Sequence, residues 1–243
     1  MVERLKQIDI LRDKLNSLRP LTTGELSRLK EEFIIEYTYD SNAIEGSTLT
    51  LEETALVLKE GITISEKPLS HHMDAIGHKD AYFYIEDLVK NKIALTEREI
   101  LSIHTFVLMD KPNDKGKYRN VPVKIVGSDI ALPQPYLINP KMEELMLWYN
   151  SNKDHPIRAI ADFHLRFETI HPFIDGNGRT GRLILNMELM KNGYVPINIK
   201  YKDKRKYYDC FKSYHQTGNY DKLVELICDN LEEELNRYIE LRN

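Results

Sequence analysis

The sequence predicts a mainly α-helical fold, a helical bundle broken once by extended chain. Three observations carry that prediction. Apolar residues recur every three or four positions through most of the chain. Hydroxyl and acidic residues stand three apart where those patterns begin, as at Thr50 and Glu53 or Thr96 and Glu99. Five of the ten prolines fall within 111–140, where the helical pattern is lost.

The elements follow in order. Residues 2–18 read as an amphipathic helix through Leu5, Ile8, Leu11, Leu15 and Leu18, ended by Pro20. Thr23 opens a second helix, to about Ile44, with Leu26, Leu29, Phe33 and Tyr37 on its apolar face and Gly46 as its stop. The Thr50–Glu53 box starts a short helix to about Lys59. Ser70 is expected to cap the next, which carries Ala75, Ile76, Tyr82, Phe83, Ile85 and Leu88, and the Thr96–Glu99 box starts another, to about Leu108. Between Lys111 and Pro140 the chain reads as extended. Its β-branched run, Val121 to Val126, and the turn residues Gly127-Ser128-Asp129 predict a short β-hairpin or flap. Helical patterning returns at 141–150, 156–169, 179–192, 202–216 and 219–241.

Composition narrows the class of protein. The 243 residues include 34 basic and 38 acidic side chains, a formal net charge of −4 with no basic run, which argues against a nucleic-acid partner. No apolar run approaches the roughly 18 residues of a membrane span. The start, charged from Glu3, lacks a signal-peptide core, so a cytoplasmic location is the expectation. Cys210 and Cys228 match no metal spacing and read as buried thiols.

Chemistry concentrates in residues 171–182. Gly176, Asn177 and Gly178 form a tight turn at the mouth of a helix, where converging N–H groups and the helix dipole make an anion site. Arg179 and Arg182, three apart, share a helical face and can clamp one phosphate-bearing ligand. Asp175 precedes the loop, and a carboxylate beside phosphates is a ligand for Mg²⁺. His171, four residues earlier, has an imidazole that can accept a proton at neutral pH. A base, a metal ligand, a phosphate cradle and two clamps read as transfer of a phosphate-containing group from a nucleotide to a protic acceptor. Each feature alone is ordinary cap, loop or surface chemistry; their joint presence in twelve residues is not.

This stretch resembles the signature of the Fic (filamentation-induced-by-cAMP) family, His-Pro-Phe-x-Asp/Glu-Gly-Asn-Gly-Arg-x-x-Arg, at every specified position. The resemblance implies a Fic-type helical bundle with a short β-hairpin flap. It implies AMP transfer from ATP, with Mg²⁺, to a Ser, Thr or Tyr hydroxyl of a target protein or of the chain itself. In that pattern His171 is the catalytic base, Phe173 anchors the loop, and Asp175 holds the metal. Gly176, Asn177 and Gly178 bind the α- and β-phosphates, Arg179 the β- and Arg182 the γ-phosphate, with Thr180 and Gly181 in the same nucleotide-binding stretch. Ser41-Asn42-Ala43-Ile44-Glu45-Gly46 is similar to the family's inhibitory motif, which implies that Glu45 pairs with Arg182 and displaces the γ-phosphate.

The same resemblance divides the chain into an N-terminal helical region, 1–95, holding the inhibitory motif at 41–46; a core, 96–235, with its flap at about 116–140; and a C-terminal helix end, 236–243. Val126, Gly127, Ser128 and Asp129 would line the nucleotide and a target protein docked on the flap by strand-like pairing. Tyr207, Tyr208 and His215 would lie on the adenine side, with core packing the competing reading for the tyrosines. A homodimer is a further expectation. Alternatives are removal of AMP with Glu45 orienting a water, transfer from UTP or CDP-choline, and a nucleotide-binding regulatory module without turnover; an intact His171 argues against the last. Asp74 and His78, four apart, lack a third metal ligand in register and are set aside. His155 and His164 read as helix-surface or capping residues, and Tyr82 to Tyr84 as packing.

Overall fold

The computed structural model describes residues 1–125 and 130–242. Among them are ten α-helices: α1 (Val2–Ser17), α2 (Thr23–Ile44), α3 (Leu51–Glu60), α4 (Leu69–Lys90), α5 (Glu97–Val107), α6 (Ile138–Ser151), α7 (Pro156–Ile170), α8 (Asn177–Lys191), α9 (Lys204–Thr217) and α10 (Asp221–Arg242).

Local chemistry sets most of the helix starts. At α3 the hydroxyl of Thr50 accepts from the Glu53 N–H (3.1 Å) and the Glu53 carboxylate accepts from the Thr50 N–H (2.8 Å). The same reciprocal box, between Thr22 and Glu25, caps α2, which begins at Thr23 as expected. Two expected caps are not made. Thr96 turns its hydroxyl to the Glu99 carboxylate instead of to a backbone N–H. The start of α4 falls behind Pro68, so Ser70 lies inside the helix; Pro68 is already held near helical φ and has no donor to satisfy. Two residues earlier than expected, α8 begins at Asn177, because the Asn177 amide closes the preceding loop on Phe173 N–H (2.9 Å) and C=O (3.0 Å).

The α7–α8 pair lies between two hydrophobic clusters. On one side Leu5 and Ile8 of α1 pack with Ile160, Leu189, Ile227 and Leu231, joining α1 and α10 to the outer faces of α7 and α8. On the other, Phe33 and Tyr37 of α2, Ile85 of α4, Ile103 of α5 and Met142 of α6 meet Phe163, Phe167 and Ile184. Helix α8 is therefore buried on nearly every side, and its polar residues Asn177, Arg179, Arg182, Asn186 and Glu188 are buried with it. Polar groups so placed need partners, and those partners define the site.

The expected β-hairpin flap is not formed: no strand occurs among the described residues. Pro122, Pro133 and Pro135 offer no N–H to a ladder. One buried side chain ties the segment instead. The Arg119 guanidinium donates to the carbonyls of Val121 (3.2 Å) and Pro133 (2.7 Å), drawing the two limbs together. A single 3₁₀ turn at Pro135–Leu137 then leads into α6, which starts at Ile138 rather than 141. Val126, Gly127, Ser128 and Asp129 lie outside the described residues. No described helix is long and apolar enough to cross a membrane.

Candidate active site

The site is built around the turn between α7 and α8. His171 ends α7 in the left-handed conformation, φ 50 and ψ 61, which swings the chain off the helix axis. Its carbonyl accepts from Arg119 Nε at 2.8 Å, and the next carbonyl, of Pro172, accepts from the Arg119 N–H at 2.9 Å. Phe173 is fully buried, its ring stacked on His104 at 3.6 Å and 4°. His104 staples two loops: Nδ1 accepts from the Gly116 N–H (3.0 Å), so the proton sits on Nε2 and is donated to the Asp175 carbonyl (3.0 Å). Burial pushes the His104 pKa down to about 4, which keeps that tautomer neutral. Gly176 follows at φ +75, a conformation costly for other residues, and Asn177 starts α8 with its free N–H groups facing the turn.

The two arginines of α8 lie in buried polar surroundings with different partners. Arg179 pairs with Asp74 of α4, lies 3.5 Å from the Asp175 carboxylate, and reaches the Asn42 amide oxygen. Arg182 is 2 % exposed. It donates from Nε to the Ser41 hydroxyl (3.1 Å) and from Nη2 to the Ser41 carbonyl (2.8 Å) and Glu45 Oε1 (2.8 Å). Burial works against its charge, but Glu45 together with Tyr207 and Tyr37 outweighs that penalty and raises its pKa. Glu45 is the C-cap of α2 and reaches over Gly178 so closely that a Cβ there would strike its carboxylate. The end of α2 is pinned by Asp40, which accepts from the Asn198 amide (2.6 Å) and the Tyr201 N–H (2.8 Å).

Asp175 receives the Gly176 N–H on Oδ1 (2.6 Å) and the Lys111 ammonium on Oδ2 (2.5 Å). Burial tends to raise its pKa, but Arg179 and Lys111 win and hold it below the usual carboxylate range. His171 goes down through burial, so its imidazole is neutral at pH 7. Three residues before it, Glu168 is pushed up to about 8, first by burial and then by the Glu45 charge, and is protonated at neutral pH. A Cβ at Gly181 would strike its carboxyl oxygen.

The remaining candidates divide. Tyr207 is a core residue, 2 % exposed, bonded to His164 Nε2 (2.7 Å) and beside Arg182. Tyr208 is 45 % exposed and reaches the Ile44 carbonyl at the end of α2. Thr169 gives its proton to the Leu165 carbonyl, so His215 Nε2 must donate to the Thr169 hydroxyl at 2.9 Å. Thr180 is buried inside α8. His164 is buried too, which corrects the surface expectation; His155 does cap α7 through Ile157 N–H. Asp74 and His78 are not a metal pair: Asp74 belongs to Arg179, and His78 bonds Thr38 (3.1 Å).

Sequence reasoning missed Lys111, Arg119, His104 and Glu168, and the role of Asp74. Their partners lie 52 to 105 residues away in sequence for the first three and Asp74. No local spacing signals such pairs.

Among the described residues, no three His, Cys, Asp or Glu side chains gather as a metal cage. One carboxylate beside an anion loop fits Mg²⁺ all the same, because that ion is held by one or two carboxylates together with substrate phosphates.

The sequence model of the Fic/DOC family matches residues 94–189. The chain is 34 % identical over 240 residues to a protein adenylyltransferase Fic of Drosophila melanogaster, covering 97 % of this chain and 48 % of that protein. A protein of the same name from Culex quinquefasciatus is 34 % identical over 242 residues, covering 98 % and 48 %. The chain thus spans about half the length of these curated relatives. Among solved structures, Fic-1 from C. elegans superposes with a TM-score of 0.88 at 28 % identity, covering 98 % of this chain and 72 % of that one. A Fic domain containing signaling protein from Bacteroides thetaiotaomicron superposes with a TM-score of 0.87 at 26 % identity, covering 98 % and 97 %.

Proposed function

Residues 94–189 match the Fic/DOC family, and from that premise we propose that the chain is a protein adenylyltransferase held in check by its own Glu45. In this reading a target hydroxyl attacks the α-phosphorus of ATP, a new P–O bond forms, the bond to the bridging oxygen of the β-phosphate breaks, and pyrophosphate leaves. His171 takes the hydroxyl proton; burial keeps the ring neutral and ready to accept it. The N–H groups at the start of α8 hold phosphate oxygens, and Arg179 and Arg182 neutralise the charge that develops on the leaving group. Asp175 would hold Mg²⁺, which supplies further charge neutralisation when bound. Lys111 and Arg119 set the surroundings of Asp175 and of the His171 backbone. The target segment would dock beside Arg119, whose guanidinium holds the His171 carbonyl.

The observation that carries the inhibited state is the occupancy of Arg182. Ser41 and Glu45 together take its Nε and Nη2 donors at 2.8 to 3.1 Å. Those are donors a γ-phosphate needs, and a misplaced triphosphate cannot present its α-phosphorus for in-line attack. The test is transfer of label from α-labelled ATP to protein, with Mg²⁺, by wild type, Glu45→Gly, and Glu45→Gly with His171→Ala. Weak labelling by wild type, strong labelling by the single variant and none by the double variant are expected. A silent Glu45→Gly that still binds ATP would refute the reading.

A further inference from the structure

Lys111 lies in the turn after α5, with its ammonium 2.5 Å from Asp175 Oδ2. The turn is closed on itself, Lys111 N–H to the Leu108 carbonyl and Lys115 N–H to the Lys111 carbonyl, both 3.0 Å. His104 fixes it against the other loop, holding Gly116 N–H with one ring nitrogen and the Asp175 carbonyl with the other. The fold thus sets a cation on the carboxylate that faces the anion loop. Asp175 Oδ1 is already engaged by the Gly176 N–H.

We propose that Lys111 is a resident competitor for the divalent cation at Asp175, holding the carboxylate until a nucleotide-bound ion takes it and so setting how much metal the site needs. The proposal rests on the reading that Asp175 binds that ion. An ammonium and a dication compete for Oδ2: each draws on the same negative charge, and two cations at contact distance repel. The Lys111 side chain is 41 % exposed, so its ammonium is free to swing away once displaced. Before the ion arrives the ammonium does the opposite service. It neutralises a carboxylate that would otherwise repel the nucleotide's phosphates. Removing it must therefore move two affinities in opposite directions.

The experiment uses the full chain carrying Glu45→Gly. Mn²⁺ binding in saturating ADP is followed by the electron paramagnetic resonance of free Mn²⁺, and ADP binding in EDTA by calorimetry. Lys111→Met is expected to bind Mn²⁺ about five-fold more tightly and ADP in EDTA about three-fold more weakly, the scale of a half-exposed ion pair. Lys111→Arg, which keeps the charge, is expected to stay near the parent in both. Asp175→Asn is expected to lose the Mn²⁺ site. If Asp175→Asn abolishes Mn²⁺ binding but Lys111→Met leaves it unchanged or weaker, or if Lys111→Arg tightens it equally, Lys111 is no competitor while the metal reading of Asp175 stands. If Asp175→Asn keeps full Mn²⁺ affinity, the Asp175 reading fails first and this proposal falls with it.

Discussion

Arg119 Nε donates to the main-chain carbonyl of His171 at 2.8 Å. The same guanidinium holds Val121 and Pro133, so one buried cation orients the backbone of the proposed base and gathers both limbs of the extended segment. Its partners at these contacts are all carbonyls, which leaves a net positive charge beside the site. That charge adds to burial in keeping His171 deprotonated.

Arg119→Lys tests this arrangement. A lysine cannot present the planar fork that reaches three carbonyls in fixed directions. In the Glu45→Gly background, kcat for AMP transfer is expected to fall by about 10- to 100-fold, the cost of a misplaced reacting group. The Kd for ADP is expected to stay within about two-fold. An equal loss in Kd by calorimetry would mean that Arg119 supports the nucleotide pocket as a whole.

Ser41 and Glu45 share Arg182, so Ser41→Ala should loosen the brake without removing it. A hydrogen bond to a charged donor contributes about 1.5–3 kcal/mol. Labelling from α-labelled ATP is expected to rise by about 10- to 100-fold over wild type and to remain below that of Glu45→Gly. Labelling at the wild-type level would assign the restraint to Glu45 alone.

Three buried histidines predict acid sensitivity. His78, His104 and His164 have folded pKa values below 6.5, all chiefly through burial, with His104 at about 4 and His164 at about 3. Below 6.5 the unfolded chain binds protons that the folded chain refuses. Stability is therefore complete above the unfolded pKa and is lost as pH falls toward the folded values. In the Glu168→Gln background, which removes an opposing titration, urea unfolding at pH 7 and pH 5.5 should show stability dropping with pH, by about 1 kcal/mol per histidine. A pH-independent midpoint would show these rings are protonated in the fold.

Glu168 carries the opposite sign. Its folded pKa of about 8 lies above the unfolded value, so the folded chain binds the extra proton between about pH 4.5 and 8, and stability falls as pH rises through that window. Glu168→Gln removes the titration. The stability advantage of that variant over wild type is expected to grow from pH 5 to pH 8 and then level off, measured by the same unfolding series.

The site's legibility in the sequence follows from where its parts lie. Residues 171–182 are contiguous, and each residue type there answers to a chemical demand, so the anion loop and its arginines could be read directly. Glu45 was legible because it sits in a short pattern at a helix end. Arg119, Lys111 and His104 act through contacts made only when distant segments meet, and nothing in their neighbours signals that. The missing hairpin has a different cause. β-branched residues at 121–126 favour extended backbone, but pairing needs donors, and prolines together with one arginine supplied another way to join the limbs. The start of α2 at Thr23 was legible, and the Thr22–Glu25 spacing already contained the reciprocal box that caps it.

The Arg182–Glu45 contact joins residues 137 apart in one covalent chain. In the proposed reading the carboxylate competes with ATP at a fixed effective concentration, set by how firmly Asp40 and its partners seat the end of α2. Dilution of the protein cannot weaken that competition. An activator would do better to tilt or unseat the helix than to rely on a rise in nucleotide, because lowering the carboxylate's local concentration acts on every encounter at once.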